Sequence, residues 1–108
     1  MYEADNIAII NTIVDLQSRG FYNDFCFVHD RLFCAQQKQF LSEDEFTILE
    51  MYRFPCYDKK MQETVVYGIE AAQYFMKGIL LNSFSGAVTV MPPAIMKKIC
   101  KFRTYNIV

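Results

Sequence analysis

The residues with the most reactive chemistry in this 108-residue chain are Cys26, Cys34, Cys56, Cys100 and the single histidine, His29. Three thiols and an imidazole could bind zinc, which favours sulfur and nitrogen donors. The pattern is Cys26-x-x-His29, then four residues, then Cys34, with Cys56 well downstream; it matches no common zinc module. Cys26 and Cys34 fall in alternating strand-like runs, where thiols act as small core side chains. A disulfide between them across a hairpin is sterically open, but a reducing compartment keeps thiols free. A nucleophilic Cys34 or Cys56 with His29 as its base lacks a third group to orient the imidazole. The residues therefore predict no metal, no cofactor and no catalytic group.

A second set is polar rather than nucleophilic. Glu50 and Arg53, with Asp24 and Arg19, could line a polar site on a sheet, or could be ion pairs tying loops to a strand edge. Ion pairs of this kind are common and usually structural. If a ligand site exists, Glu50, Tyr52 and Arg53 are its candidate residues. A third set, Lys97, Lys98, Lys101 and Arg103, forms a basic stripe that suits the solvated face of a helix whose late cations complement the dipole. The net charge is −1, so no overall field draws the chain to nucleic acid or an anionic membrane.

The elements that must position these residues come from pattern. Asp5 to Arg19 reads as a helix, with Ile7, Ile9, Ile10, Ile13, Val14 and Leu16 on one half of the wheel. Asp5 suits its N-cap and Gly20 the left-handed residue past its end. Phe25–Val28 and Leu32–Ala35 read as a β-hairpin. A three-residue turn would pair Cys26 with Cys34 and put Phe25, Phe27 and Phe33 on the other face; a two-residue turn at Asp30-Arg31 would shift this register. Ser42-Glu43-Asp44-Glu45 has capping-box spacing. Glu45–Phe54 reads as the longest strand, ended by Pro55. Within it Phe46, Ile48, Glu50, Tyr52 and Phe54 share a face. Glu63–Ala71 and Lys77–Phe84 follow as strands, Ser83–Gly86 as a turn and Ala87–Val90 as a possible short strand. Pro92-Pro93 opens a second helix. The reading is α+β: one domain, residues 1–108, with an antiparallel sheet of about five strands and an N-terminal and a C-terminal helix packed on it.

Composition adds a constraint. Hydrophobic residues make up 53 % of the chain, with ten Phe and seven Tyr. A domain this small has little interior, so some rings belong at the surface or in an interface. With Phe25, Phe27 and Phe33 as the candidate interface, this points to a homo-oligomer. The N-terminus lacks a basic signal-like region and the apolar runs are too short to span a bilayer. The expected setting is cytoplasmic, with no membrane partner.

The ordered set Leu16-x-x-Arg19-Gly20-Phe21-x-x-Asp24-Phe25, Glu45-Phe46-x-Ile48-x-Glu50-x-Tyr52-Arg53-Phe54, Val66-Tyr67-Gly68-Ile69 and Lys77-Gly78-Ile79-Leu80-Leu81 resembles a family of short bacterial proteins often labelled phosphoribosylpyrophosphate synthetase. The resemblance runs from about residue 14 to residue 102. This chain departs from it at Tyr57-Asp58-Lys59-Lys60, where the family carries an Asp-rich loop, and at Asn82–Gly86, where it carries an Asp-Ala-Tyr-Gly-like turn. The synthetase label implies a Gly-rich ribose-phosphate loop on a parallel sheet. The four glycines here are not clustered, so the residues do not support that activity. Two functions are therefore expected: a non-catalytic, self-associating interaction module, or, as the alternative, a protein or enzyme that binds a small molecule or a nucleotide or sugar phosphate.

Overall fold

The computed structural model describes residues 2–28, 31–56 and 62–85, together with Lys98. Helix α1 (Tyr2–Ser18) leads into β1 (Asn23–Val28), β2 (Arg31–Cys34) and β3 (Gln39–Leu41). A 3₁₀ turn, Glu43–Glu45, precedes β4 (Thr47–Cys56) and β5 (Gln62–Ala71); a second, Ala72–Tyr74, precedes β6 (Met76–Ser85). The class is α+β. Among the described residues the sheet has six strands in the order β3-β2-β1-β6-β5-β4.

The expected all-antiparallel sheet is corrected at one seam. β1–β2–β3 and β4–β5–β6 are each antiparallel meanders, but they join through β1 and β6, which run parallel. Parallel neighbours usually announce themselves by a crossover helix; here the connection is itself four strands, β2 to β5, with two 3₁₀ turns, so no such signal exists. Four boundaries also move. α1 begins at Tyr2, which places Asp5 inside the helix instead of at its cap. Pro55 lies within β4, opposite Glu63; β4 is a sheet edge, where a missing N–H is tolerated. Ser83 and Ser85 continue β6 instead of turning, paired with Thr64 and Gln62. β3 (Gln39–Leu41) forms between the hairpin and the capping box, a stretch to which the pattern assigns no strand. Gly20 adopts φ +103° as its position required. Of the expected second helix, the described residues hold only Lys98, which is helical, and Ala87–Val90 lies outside them.

Hairpin register is corrected too. Val28 pairs with Arg31, so two residues separate the paired strands, and Cys26 faces Phe33 instead of Cys34. Phe25, Leu32 and Cys34 then share the buried face, and Cys26 and Phe33 the other. The alternation is regular once the turn is one residue shorter than first read.

The sheet is curled. β3 and β4 are its two edges, yet only residues 42–46 separate them. With three of those residues in a 3₁₀ turn, the link spans roughly 16 Å. A flat six-stranded sheet would hold its edges about 24 Å apart. The concave side carries the larger core, with Phe25, Leu32, Leu41, Ile48, Tyr67 and Leu80 contributed by the six strands in turn. α1 packs on the convex side over β4, β5 and β6, where Leu16 and Phe21 meet Val66 and Ile79.

Two glycines permit these contacts. A Cβ on Gly68 would approach Phe21 Cε2 at 3.1 Å and Leu16 Cδ2 at 3.4 Å, so its bareness lets α1 sit close. A Cβ on Gly78 would lie 2.4 Å from the Asn23 carbonyl oxygen, in the middle of the parallel seam. Backbone cannot yield as a side-chain end can. Gly78→Ala is therefore expected to cost about 1–3 kcal/mol or more through overpacking, and Gly68→Ala clearly less. Urea unfolding of the two variants beside the parent checks the ranking; equal losses would contradict it.

Candidate functional site

The polar cluster on the convex side is assembled by two local features. Gly20 closes the turn that follows α1 and leaves Arg19 exposed just past the helix end at Ser18; a β-bulge in β4 then re-aims the strand. Ile48 pairs with Ile69 and Glu50 with Gly68, so Leu49 is the extra residue. A bulge puts two residues opposite one and reverses the facing pattern beyond it. Ile48 therefore joins the concave core, whereas Glu50, Tyr52 and Phe54 turn toward α1. The expectation that Phe46 and Ile48 share the face of Glu50 is corrected by this one residue.

Arg19 grips Glu50 with two nitrogens, Nη1 to Oε2 at 2.6 Å and Nη2 to Oε1 at 2.8 Å. Its Nε donates to Asp15 Oδ2 at 3.1 Å, one helical turn back. The Tyr52 hydroxyl donates to Glu50 Oε1. Beneath them lies the buried ring of Phe21, with the Arg19 guanidinium 5.8 Å and the Lys77 ammonium 4.7 Å from its centroid. The Arg19 hydrogen bonds hold the Glu50 carboxyl below its usual range. The Glu50 carboxylate in turn raises the Tyr52 phenol and, with Tyr52 and Asp15, the Arg19 guanidinium. Bidentate guanidinium–carboxylate pairing is the strong, directional form of the ion pair. Its effect here is mechanical: it fastens the end of α1 to an edge strand.

The other candidates are dispersed. Arg53 stands opposite Val65, on the face of β4 away from Glu50 and Tyr52. Asp24 closes the first meander instead: Gln36 Nε2 donates to Asp24 Oδ2 and the Asp24 N–H to Gln36 Oε1, both at 2.8 Å. Arg19, named at first only as an accompaniment, is the true centre of the site. The capping box is present, the Ser42 N–H donating to Glu45 Oε1 at 2.8 Å. The same carboxylate accepts from the Tyr74 hydroxyl, tying together the two 3₁₀ turns; no sequence pattern announced that link.

Cys26 is exposed and Cys34 buried, on opposite faces of the sheet, so the hairpin disulfide is geometrically closed to them. The side chains of His29, Cys56 and Cys100 lie outside the described residues, as do Lys97, Lys101 and Arg103. Lys98 is partly buried, its ammonium 4.9 Å from the Phe46 ring centroid. Of the candidate interface rings, Phe25 is core and Phe27 packs partly buried against that core. Phe33 lies on the convex side, tilted against Phe40 with centroids 4.8 Å apart, and the Arg31 guanidinium covers Phe40 at 4.7 Å.

Among the described residues no cluster of His, Cys, Asp and Glu is placed to hold a metal ion, and no helix is long and apolar enough to cross a membrane. No family model, no curated protein and no solved structure matches the chain.

The cluster makes a pH prediction. Because the folded state lowers the carboxyl of Glu50, the folded state gains stability above the ordinary glutamate range and loses it as pH falls through the lowered value. Acid unfolding should therefore begin at a higher stability in the parent and fall more steeply than in Glu50→Gln, whose acid limb is shallower. Urea midpoints measured from pH 7 down to pH 3 check this; parallel curves would contradict it.

Proposed function

We propose that this chain is a small non-catalytic interaction module that associates with a second copy of itself. The observation that supports the reading is the half-covered convex side. α1 lies over β4, β5 and β6, and its outer residues Ile7, Ile10 and Val14 are each 56 % exposed. From Ile7 to Val14 the helix carries no charged residue, although the solvated face of a helix normally does. Exposed aliphatic residues in such a stripe mark an interaction surface. Within the polar cluster, both Glu50 oxygens are already engaged by Arg19 and Tyr52. That arrangement supports a structural role there over substrate binding.

Light scattering coupled to gel filtration, over a concentration series, tests the reading. The parent should run as a dimer or larger species at the upper concentrations. Ile10→Glu should be monomeric throughout, with a thermal midpoint matching the parent's at the dilute end of the series, since the residue faces away from the core and association itself raises the parent's midpoint at higher concentration. A parent that is monomeric at every concentration would overturn the reading.

A further inference from the structure

The convex side carries a second apolar feature beside the helix. β-Strand register lines up Phe40 with Phe33 and Phe33 with Cys26. The paired part of the parallel seam ends at Phe25 and Leu80, and the next residue of each strand, Cys26 and Leu81, falls on the convex side. Leu81 is 51 % and Phe40 37 % exposed, Cys26 is exposed and Phe33 partly so. These four side chains form one row across β6, β1, β2 and β3, about 14 Å long at ordinary strand spacing, with no charged residue in it.

The helix stripe is placed to match it. Around α1, Ile10, Val14 and Ile7 fall roughly 120°, 160° and 180° from the buried Leu16. Arg19 falls about 60° to the other side and reaches β4 through Glu50. The apolar flank of α1 therefore turns away from β4, toward β6 and the bare row, and outward. From Ile7 to Val14 the stripe is about 10 Å long, comparable with the row.

Resting on the self-association proposed above, we infer that the second copy lays the outer stripe of its α1 along the bare row Leu81–Cys26–Phe33–Phe40, and receives the first copy's α1 in return. Two helices then lie side by side between two curled sheets. The contact is isologous: each surface supplies both the ridge and the row, which a two-fold axis requires. The centre of the contact, Leu81, Cys26 and Phe33 against Ile7, Ile10 and Val14, holds no charge to desolvate; the Arg31 guanidinium over the Phe40 ring marks the outer end of the row. Ridge and row together supply seven apolar side chains from each copy. Such a centre belongs to an interface of standard size, about 800 Å² per partner; the stripe alone is too narrow to be one. In this arrangement Ile10 of one copy sits near Cys26 of the partner subunit.

The test uses the full chain with Cys56→Ser, Cys100→Ser and Ile10→Cys, leaving Cys34 buried. A short bismaleimide reagent should yield a covalent dimer, and peptide mapping should find position 10 of one copy joined to Cys26 of the other. Adding Cys26→Ser should abolish the product. A covalent dimer joined solely through position 10 to position 10 would mean that the helices pair without the row, and would overturn the inference. So would absence of any covalent dimer from a chain that light scattering shows to associate. Failure of the parent to associate at all would overturn the underlying reading along with it. A thermal midpoint matching the parent confirms that the substituted chain is folded.

Discussion

The structure depends on one close approach of backbone to backbone. Along the seam between β1 and β6, the carbonyl oxygen of Asn23 comes so near Gly78 that a Cβ there would stand 2.4 Å from it. This contact joins two three-stranded meanders into one sheet, and the Asn23 amide secures it further by donating to the Lys77 carbonyl at 3.0 Å. Without the join, each meander would expose an apolar face and an open edge, and three strands alone are marginal in water. With it, the short link from β3 to β4 forces the curl that encloses the concave core.

Curling separates the two sides into different physical roles. The concave side takes the large apolar residues of all six strands and closes over them. The convex side is left to α1, which is one helix wide and covers β4, β5 and β6. Its position is fixed by packing against Gly68 and by the Arg19–Glu50 clamp, not by propensity. Away from that clamp the convex side keeps an exposed apolar row, with the Arg31 guanidinium over its Phe40 end, in a chain that is already 53 % hydrophobic. Part of the apolar surplus evident in the composition lies on the outside of α1 and along the β6–β1–β2–β3 row; Tyr22, Leu49 and Phe75 are exposed outside both.

Some of this was legible in the residues, for identifiable reasons. α1 was legible because its apolar positions repeat with helical period, Gly20 because a helix end favours a left-handed residue, and Ser42…Glu45 because the capping box is a local contact. β5 and β6 were legible as apolar, β-prone runs. The rest turned on single-residue geometry that pattern does not encode. The pairing of Val28 with Arg31 exchanged the partners of Cys26; the bulge at Leu49 detached Glu50 from the face of Ile48. The parallel seam had no crossover helix to announce it. The site was half legible: Glu50 and Tyr52 lie together as expected, but Arg53 stands on the other face and Arg19 holds their carboxylate. A pair 31 residues apart leaves no local trace. Tyr22, Phe40 and Phe75 are exposed, as so aromatic a composition implies, whereas Phe25 is core and an aliphatic stripe on α1 is exposed beside the rings.

The most direct measurement of the central claim is the labelling rate of Cys26, which is exposed on the single chain and lies in the middle of the surface assigned to the second copy. Peptide-resolved maleimide labelling, followed by mass spectrometry over a range of protein concentrations, reads that rate. The account predicts that labelling of Cys26 slows as concentration rises and association buries it. A rate independent of concentration, in a chain that associates, would contradict the account.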